Sequence, residues 1–206
     1  MLNRRAALGF RLRCPEADSP ARFKIMNERG GILIIEDDAD VLRAARIALE
    51  LHAKRVELAA SPEGLERRLQ NDVFDAVLLD MNFVSGVRDG NAGLDALVRI
   101  QSFDPSLAVV LMTAFGGVAL AVESLKRGAV DFILKPWRND KLLAAMSAAM
   151  NITHSRRQAQ TQQLDALERD AIERALARHE GNISLAASEL GLSRPALYRR
   201  ISKHGL

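Results

Sequence analysis

Residues 31–38 read GILIIEDD, a short apolar run that ends in three carboxylates. The pattern recurs along the chain, where AVLLD spans residues 76–80 and VVLMT spans residues 109–113. Short runs that are apolar at every position are typical of strands covered by helices on both faces of a parallel sheet. These runs therefore predict buried strands, each followed by polar side chains.

Longer helical stretches separate the apolar runs, an alternation that gives right-handed βαβ units. The predicted strands are Gly31–Ile35, Arg55–Leu58, Ala76–Leu79, Leu107–Met112 and Asp131–Leu134, and the predicted helices lie near 39–51, 62–70, 93–102, 117–127 and 138–152. We therefore expect an α/β domain over residues 30–152, with a doubly wound, flavodoxin-like, five-stranded parallel sheet.

A change in composition marks the end of this domain. Residues 153–163, THSRRQAQTQQ, carry no bulky apolar side chain, so they read as a polar linker or a solvated helical extension that buries nothing. From Leu164 the apolar residues return at helical spacing and predict three helices. The last begins after Ser193 as N-cap, with Pro195 in its first turn. Residues 164–206 are therefore expected to form a small all-α domain.

Charge is distributed unevenly between these parts. Residues 1–29 carry seven Lys and Arg against three Asp and Glu, residues 30–150 carry thirteen against seventeen, and residues 151–206 carry nine against six. A basic C-terminal module suits a polyanion such as nucleic acid. Residues 1–29 are expected to be a disordered arm. We favour a start of translation at Met26 over an arm that adds non-specific affinity for DNA.

Cellular location is constrained by what the sequence lacks. The chain has one cysteine, Cys14, no apolar run of the roughly 18 residues that a membrane-spanning helix needs, and no signal-peptide pattern. These features predict a cytoplasmic protein without a membrane partner.

The side chains after the strands predict one reactive site. In an open parallel sheet, ligands bind outside the carboxyl ends of the strands, where this chain has Glu36, Asp37, Asp80, Thr113 and Lys135. Carboxylates that face one another need a positive partner, and Mg²⁺ prefers oxygen ligands. Asp80 would then be a nucleophile for a phosphoryl group, with Glu36 and Asp37 holding the metal. Lys135 would neutralise the phosphoryl oxygens, and the Thr113 hydroxyl would donate a hydrogen bond.

The runs ILIIEDD, AVLLDMN, VVLMTAFGG and DFILKPW resemble the signatures of receiver domains in bacterial two-component response regulators, over about residues 30–150. The resemblance implies that a histidine kinase phosphorylates Asp80. It implies that Asp37, Asp80 and the backbone carbonyl of Asn82 bind Mg²⁺ directly, that Glu36 helps through water, and that Asp38 is peripheral.

The same resemblance implies a conformational switch. The Thr113 hydroxyl would move toward the phosphoryl group and the Phe132 ring would turn inward, although core packing is an equally good interpretation of Phe132. The Lys135–Pro136 peptide bond would be cis. The chain departs from the family pattern at Val84, where proline is common, and in the long loop VSGVRDGNAG, residues 84–93. We expect this loop to affect the lifetime of the phosphoryl group.

The C-terminal sequence NISLAASELGLSRPALYRRISKHGL, residues 182–206, predicts a helix-turn-helix with a turn at Gly191 and a basic recognition helix. Leu197 and Ile201 would point inward, and Arg194 would lie where base contacts usually arise. The other basic residues suit DNA phosphates, and Tyr198 suits packing. The predicted DNA-binding residues are Ser193, Arg194, Arg199, Arg200 and Lys203.

Residues 164–206 resemble the Fis-type DNA-binding domain, which implies a homodimer formed through the helix near Leu164–His179. Receiver and Fis-type domains also form the two ends of large enhancer-binding activators, but here no GxxxxGK[ST] ATPase loop lies between them. The architecture is more similar to short regulators of the RegA, PrrA and ActR type. We therefore predict a DNA-binding response regulator that regulates transcription and has no enzymatic activity beyond self-phosphorylation and slow autodephosphorylation.

Two alternatives compete with this prediction, and the residue at position 82 argues against the first. A haloacid-dehalogenase-like phosphatase also uses an aspartyl nucleophile, but it needs an acid where Asn82 stands. The other is a receiver that signals by protein contact, whose tail serves for dimerisation or for modulating another regulator.

Overall fold

The computed structural model of the chain describes residues 30–83, 91–114 and 118–206, without the side chains of residues 118–121. The predicted arm at residues 1–29 lies outside the described residues, as do Val84 and the rest of the loop up to residue 90.

Five strands alternate with helices, and two short helices follow at the C-terminus. The elements are β1 (Gly31–Ile35), α1 (Ala39–Leu49), β2 (Arg55–Ala59), α2 (Leu65–Asn71), β3 (Phe74–Asp80), α3 (Asn91–Phe103), β4 (Val109–Thr113), α4 (Val118–Lys126), β5 (Asp131–Leu134), α5 (Asn139–Arg178), α6 (Ile183–Glu189) and α7 (Arg194–His204). Each predicted strand is present, and Asp80 and Thr113 are the last residues of their strands.

The strands form one parallel sheet in the order β2-β1-β3-β4-β5. The direction of winding reverses at β1, because β2 lies on one side of it and β3 on the other. In such a sheet the carboxyl ends of the strands meet at one edge, which forms a crevice at the reversal point. The predicted doubly wound, five-stranded fold is confirmed.

Two buried clusters cover the two faces of the sheet. Ile32 and Ile34 belong to one cluster together with Leu142 of α5, whereas Leu33 belongs to the other together with Leu97 of α3. All five residues of β1 are buried. Since alternate side chains of a strand point to opposite faces, a strand covered on both sides must be apolar throughout, as GILII is.

Helix α5 continues without a break from the sheet into the C-terminal region. It has 40 residues, which at 1.5 Å per residue is a length of about 60 Å. The predicted linker, residues 153–163, lies inside this helix. Of the two forms that the sequence left open, a polar linker and a helical extension, the segment has the helical one. Whether it separates two independently folding domains stays a prediction.

Two polar side chains of this segment attach α5 to the sheet. Thr153 is fully buried, and its Oγ1 accepts a hydrogen bond of 2.8 Å from the backbone N–H of Ala108. Arg157 donates to Asp75 at 2.9 Å and to Asp104 at 3.0 Å. The expectation that this segment buries nothing was wrong at Thr153. It rested on the lack of bulky apolar side chains, but a hydroxyl can also be buried when it has a hydrogen-bond partner.

Helices α6 and α7 fold against the end of α5 around a third, small core. Its buried residues are Ile172, Ala175, Ala186, Ala187 and Leu197. Asn182 caps α6 by accepting from the N–H groups of two residues, and Ser193 caps α7 as predicted. Gly191 in the turn between them has a φ of +65°, a conformation that favours glycine. Within the described part of the chain, no helix has both the length and the apolar character that crossing a membrane requires.

Candidate functional site

The polar side chains predicted for the crevice come together at the carboxyl edge of the sheet. Lys135 Nζ forms an ion pair with Asp80 Oδ1 at 2.6 Å, and the same ammonium group pairs with Glu36. The two carboxylate side chains are almost completely buried, with exposed fractions of 4% for Asp80 and 1% for Glu36. One cation, immediately after β5, thus bridges the ends of β1 and β3.

Backbone groups complete the surroundings of these carboxylates. The N–H of Asn82 donates to Asp80 Oδ2 at 2.7 Å, and the N–H of Asp38 donates to Glu36 Oε1 at 3.3 Å. Asp80 therefore has one oxygen held by an ammonium group and the other by a backbone amide. Such contacts fix the orientation of a carboxylate before any reaction.

Burial and charge shift the pKa values of the groups beside Asp80. Burial raises the pKa of the Glu36 carboxyl, the charge of Asp80 adds to the rise, and Lys135 only partly opposes it. Burial by itself would lower the pKa of Lys135, but its hydrogen bonds and ion pairs with Asp80 and Glu36 outweigh burial and raise that pKa. Lys135 is therefore a permanent cation at neutral pH.

The same edge of the sheet carries a group of three acids. Glu36, Asp37 and Asp80 each offer a carboxylate oxygen, and these oxygens lie within 4.8 Å of one another. Asp37 is exposed, which leaves the group open to solvent. Asp38 points elsewhere, because its side chain accepts from two backbone N–H groups as the N-cap of α1. Three clustered acids against one lysine leave an excess of negative charge that suits a hard divalent cation.

The residues predicted for the switch lie on the next two strands. Thr113 is buried at the end of β4, whereas Phe132 on β5 is 38% exposed. The ring of Phe132 is therefore not buried in the core of the sheet, and its part in a switch stays a prediction. The Lys135–Pro136 peptide bond is cis, as predicted.

Gly93 contributes to the site in a way that the sequence did not reveal. Its N–H donates to the carbonyl of Met81 at 3.1 Å, and a Cβ at this position would lie 2.5 Å from Met81 Cα. The first turn of α3 thus rests on the backbone that follows Asp80. The sequence signalled this close approach only by a glycine at the start of the predicted helix 93–102.

The predicted DNA-binding residues of α7 differ in their contacts. Arg194 and Arg199 are exposed, and neither forms an ion pair with the residues that the structure describes. Arg200 instead pairs with Glu168 of α5 at 2.6 Å, and Lys203 pairs with Asp165 at 2.7 Å.

Two further side chains of the predicted DNA-binding region have defined surroundings. Ser193 caps the helix through its Oγ, which accepts from the backbone N–H of Ala196. Tyr198, expected to pack, is 58% exposed. That any of these residues contacts DNA stays a prediction.

The sheet order, the helices on both faces and the acids at the strand ends define a receiver domain. The chain belongs to the response regulator receiver family, because residues 32–147, more than half of it, match the family described as "Response regulator receiver domain". Residues 163–204 match "Bacterial regulatory protein, Fis family".

Curated relatives are transcriptional regulators. The chain is 34% identical over 141 residues to the alginate biosynthesis transcriptional regulatory protein AlgB of Pseudomonas aeruginosa, which covers 68% of the chain and 29% of AlgB. It is 34% identical over 123 residues to the transcriptional regulatory protein ZraR of Klebsiella oxytoca, covering 60% of the chain and 27% of ZraR. The chain thus spans less than a third of the length of these relatives.

Solved structures agree with the family assignment. The receiver domain of a response regulator from Bacteroides fragilis is 40% identical, with a TM-score of 0.53, over 59% of this chain and 96% of that domain. NtrX from Brucella abortus is 26% identical, with a TM-score of 0.57, over 65% of this chain and 29% of NtrX.

Proposed function

We propose that this protein is a cytoplasmic DNA-binding response regulator: a histidine kinase phosphorylates Asp80, and the C-terminal helix-turn-helix binds promoter DNA and regulates transcription. The observation that carries the proposal is the buried Asp80 carboxylate, oriented by Lys135 and the N–H of Asn82. This site lies in the same chain as a Fis-family domain with an exposed basic helix.

Asp80 would act as the phosphoryl acceptor. A carboxylate oxygen attacks the phosphorus of a phosphohistidine, the P–O bond forms, and the P–N bond to the imidazole breaks. Lys135 neutralises charge on the transferred group, and the Thr113 hydroxyl donates a hydrogen bond to it. We expect no turnover beyond self-phosphorylation from a small phosphodonor and slow autodephosphorylation.

The acids around Asp80 fit Mg²⁺. Glu36, Asp37 and Asp80 present oxygens within 4.8 Å of one another, and the backbone carbonyl of Asn82 follows Asp80 by two residues. These are hard oxygen donors of the kind that Mg²⁺ takes. When bound, the cation supplies positive charge beside the phosphoryl oxygens.

Phosphorylation would reach the surface through Thr113 and Phe132. The ring of Phe132, which is partly exposed, would turn inward when the Thr113 hydroxyl moves toward the phosphoryl group. The exposed surface of β5 would then change, which alters what the receiver contacts. Such a shift of population needs only that the phosphorylated site favours one of two packed arrangements.

The C-terminal domain would bind DNA as a homodimer. Arg194, at the start of α7, would contact a guanine edge, and Arg199 would contact a phosphate. Ser193, the N-cap of the helix, immediately precedes Arg194 and would contact DNA with it. The paired recognition helices would meet successive major grooves of a partly palindromic site.

The test of this function follows the phosphoryl group and the DNA in one preparation. Wild type, Asp80→Asn and the control Asp95→Asn, which removes an exposed carboxylate of α3, are incubated with acetyl phosphate and Mg²⁺. Intact-mass spectrometry should detect one phosphoryl group on wild type and Asp95→Asn and none on Asp80→Asn. Binding to genomic fragments is then measured for each. A phosphorylated protein that selects no fragment would support the role of Asp80 as phosphoryl acceptor, but it would favour signalling by protein contact over DNA binding.

A further inference from the structure

The basic residues of α7 form two groups, which differ in whether they have an acidic partner among the described residues. Arg194 and Arg199 are exposed and, among the described residues, have no acidic partner. Arg200 and His204 instead contact the single carboxylate of Glu168 on α5, at 2.6 Å from Arg200 Nε and 2.8 Å from His204 Nε2. The sequence predicts a base contact for Arg194 and phosphate contacts for Arg199, Arg200 and Lys203, and no role for His204.

Helix geometry accounts for the contacts of Arg200 and His204 and for the exposure of Arg199. At 100° per residue, His204 lies about 20° and Arg200 about 60° around the helix from the buried Leu197, whereas Arg199 lies about 160° away. The first two therefore flank the apolar face that packs on α5. The His204 side chain is only 8% exposed, which places it within that contact rather than beside it.

Glu168 is the centre of a small network on the surface of α5. Besides Arg200 and His204, it accepts from Lys203 Nζ at 3.2 Å, and Lys203 also pairs with Asp165 at 2.7 Å. The hydrogen bonds from His204, Arg200 and Lys203 lower the pKa of Glu168 to about 2, so the carboxylate stays charged at neutral pH. We call Glu168 with Arg200, Lys203 and His204 the Glu168 latch.

We propose that the Glu168 latch positions the recognition helix on α5. Arg200 and His204 are then positioning residues, and Arg194 and Arg199 contact the DNA. The proposal rests on the proposed DNA-binding function. Helix α5 continues into the receiver. A recognition helix that is fixed to α5 is therefore attached to the same helix that packs against the sheet.

A competing explanation is that Glu168 masks cations that DNA phosphates would otherwise take. The two explanations predict opposite results for the same change. If Glu168 masks, removing its charge frees Arg200 and Lys203 and tightens DNA binding. If it positions, removing its charge loosens α7 and weakens binding. The near-complete burial of His204 beside Leu197 favours positioning.

The experiment measures DNA affinity of the full chain over a salt series, by fluorescence anisotropy on a genomic fragment that wild type selects. The slope of log K against log salt counts the phosphates neutralised, at about 0.9 per contact. Glu168→Gln is compared with the control Glu173→Gln, which removes the same charge from an exposed (i, i+4) pair of α5. Arg200→Gln is compared with Arg199→Gln.

We expect Glu168→Gln and Arg200→Gln to weaken binding by about tenfold, with the wild-type slope. Glu173→Gln should have wild-type affinity, and Arg199→Gln should reduce the slope by about 1. Circular dichroism monitors the fold, and Arg200→Lys, which keeps the charge but loses the fork of donors, replaces Arg200→Gln if that variant unfolds.

Each other outcome overturns the proposal. Tighter binding and a steeper slope in Glu168→Gln would establish masking. An equal loss of slope in Arg200→Gln and Arg199→Gln would make Arg200 a phosphate contact. Equal effects of Glu168→Gln and Glu173→Gln would reduce the latch to general charge. If wild type itself selects no fragment, the proposed DNA-binding function fails first.

Discussion

Replacing Gly93 by alanine is expected to destabilise the receiver and to disturb Asp80. A Cβ at Gly93 would lie 2.5 Å from Met81 Cα and 2.8 Å from the backbone oxygens of Asp80 and Met81. Carbon atoms in ordinary contact are about 3.5–4.0 Å apart. The first turn of α3 and the end of β3 would therefore have to separate by roughly 1 Å.

The net cost follows from two opposing effects. Overpacking of this kind costs about 1–3 kcal/mol. Alanine is favoured over glycine inside a helix by about 1 kcal/mol, which offsets part of the cost. Because the atoms in the way are backbone atoms, no side-chain rotation relieves them. The cost therefore lies at the upper end of its range, about 2–3 kcal/mol, and we expect a net loss of about 1–2 kcal/mol in the free energy of unfolding.

Urea unfolding followed by the fluorescence of Trp137, the single tryptophan of the chain, measures this loss where it occurs, since Trp137 packs against the core of the sheet. Phosphorylation of Asp80 by acetyl phosphate should also slow in Gly93→Ala. The control is Gly64→Ala, which has a φ of +66° but no atom within 4 Å of the new Cβ. It carries backbone strain without crowding, so phosphorylation should be unchanged. A Gly93→Ala protein as stable as wild type would refute the crowding argument.

Three further changes test other parts of the structure. Thr153→Val should lower the free energy of unfolding by about 1–3 kcal/mol, because the buried N–H of Ala108 loses its acceptor. Thr153→Ser, which keeps the hydroxyl, should lower it less. A valine variant as stable in urea as wild type would contradict this prediction. The pKa of Glu66, lowered to about 2 by the hydrogen bonds from Arg99, should rise toward its ordinary value in Arg99→Gln when followed by NMR. Since the folded-state pKa is lowered, this ion pair stabilises fully above the unfolded pKa of 4.5 and is lost as pH falls toward 2. Asn182→Ala removes the cap of α6 and should lower the free energy of unfolding by about 1 kcal/mol. Thermal unfolding measures this loss, and an unchanged stability would mean that the cap is dispensable.

The sheet and its reactive edge were predictable because apolar runs and the polar residues after them follow simple rules. A short run such as GILII, which is apolar at every position, is typical of a strand that is buried on both faces of a sheet. The carboxyl ends of parallel strands meet at one edge, so Asp80 and Lys135 are brought together although 55 positions separate them in the sequence.

The contacts of α5 were not predictable in the same way. Pattern arguments measure apolar burial, whereas Thr153 and Arg157 are held by polar partners far away in sequence, such as Ala108. Glu168 is likewise an ordinary exposed acid until α7 folds back onto it. A count of charges therefore overstated how many cations of the recognition helix are free.

The most direct measurement of the central claim is the DNA affinity of wild type and Asp80→Asn, with and without beryllofluoride and Mg²⁺, at one fixed salt concentration. Salt is fixed because contacts to DNA phosphates make affinity strongly salt-dependent. We predict that beryllofluoride changes the selective binding of wild type and leaves that of Asp80→Asn unchanged. Identical binding by both proteins under all conditions would contradict control of DNA binding by phosphorylation of Asp80.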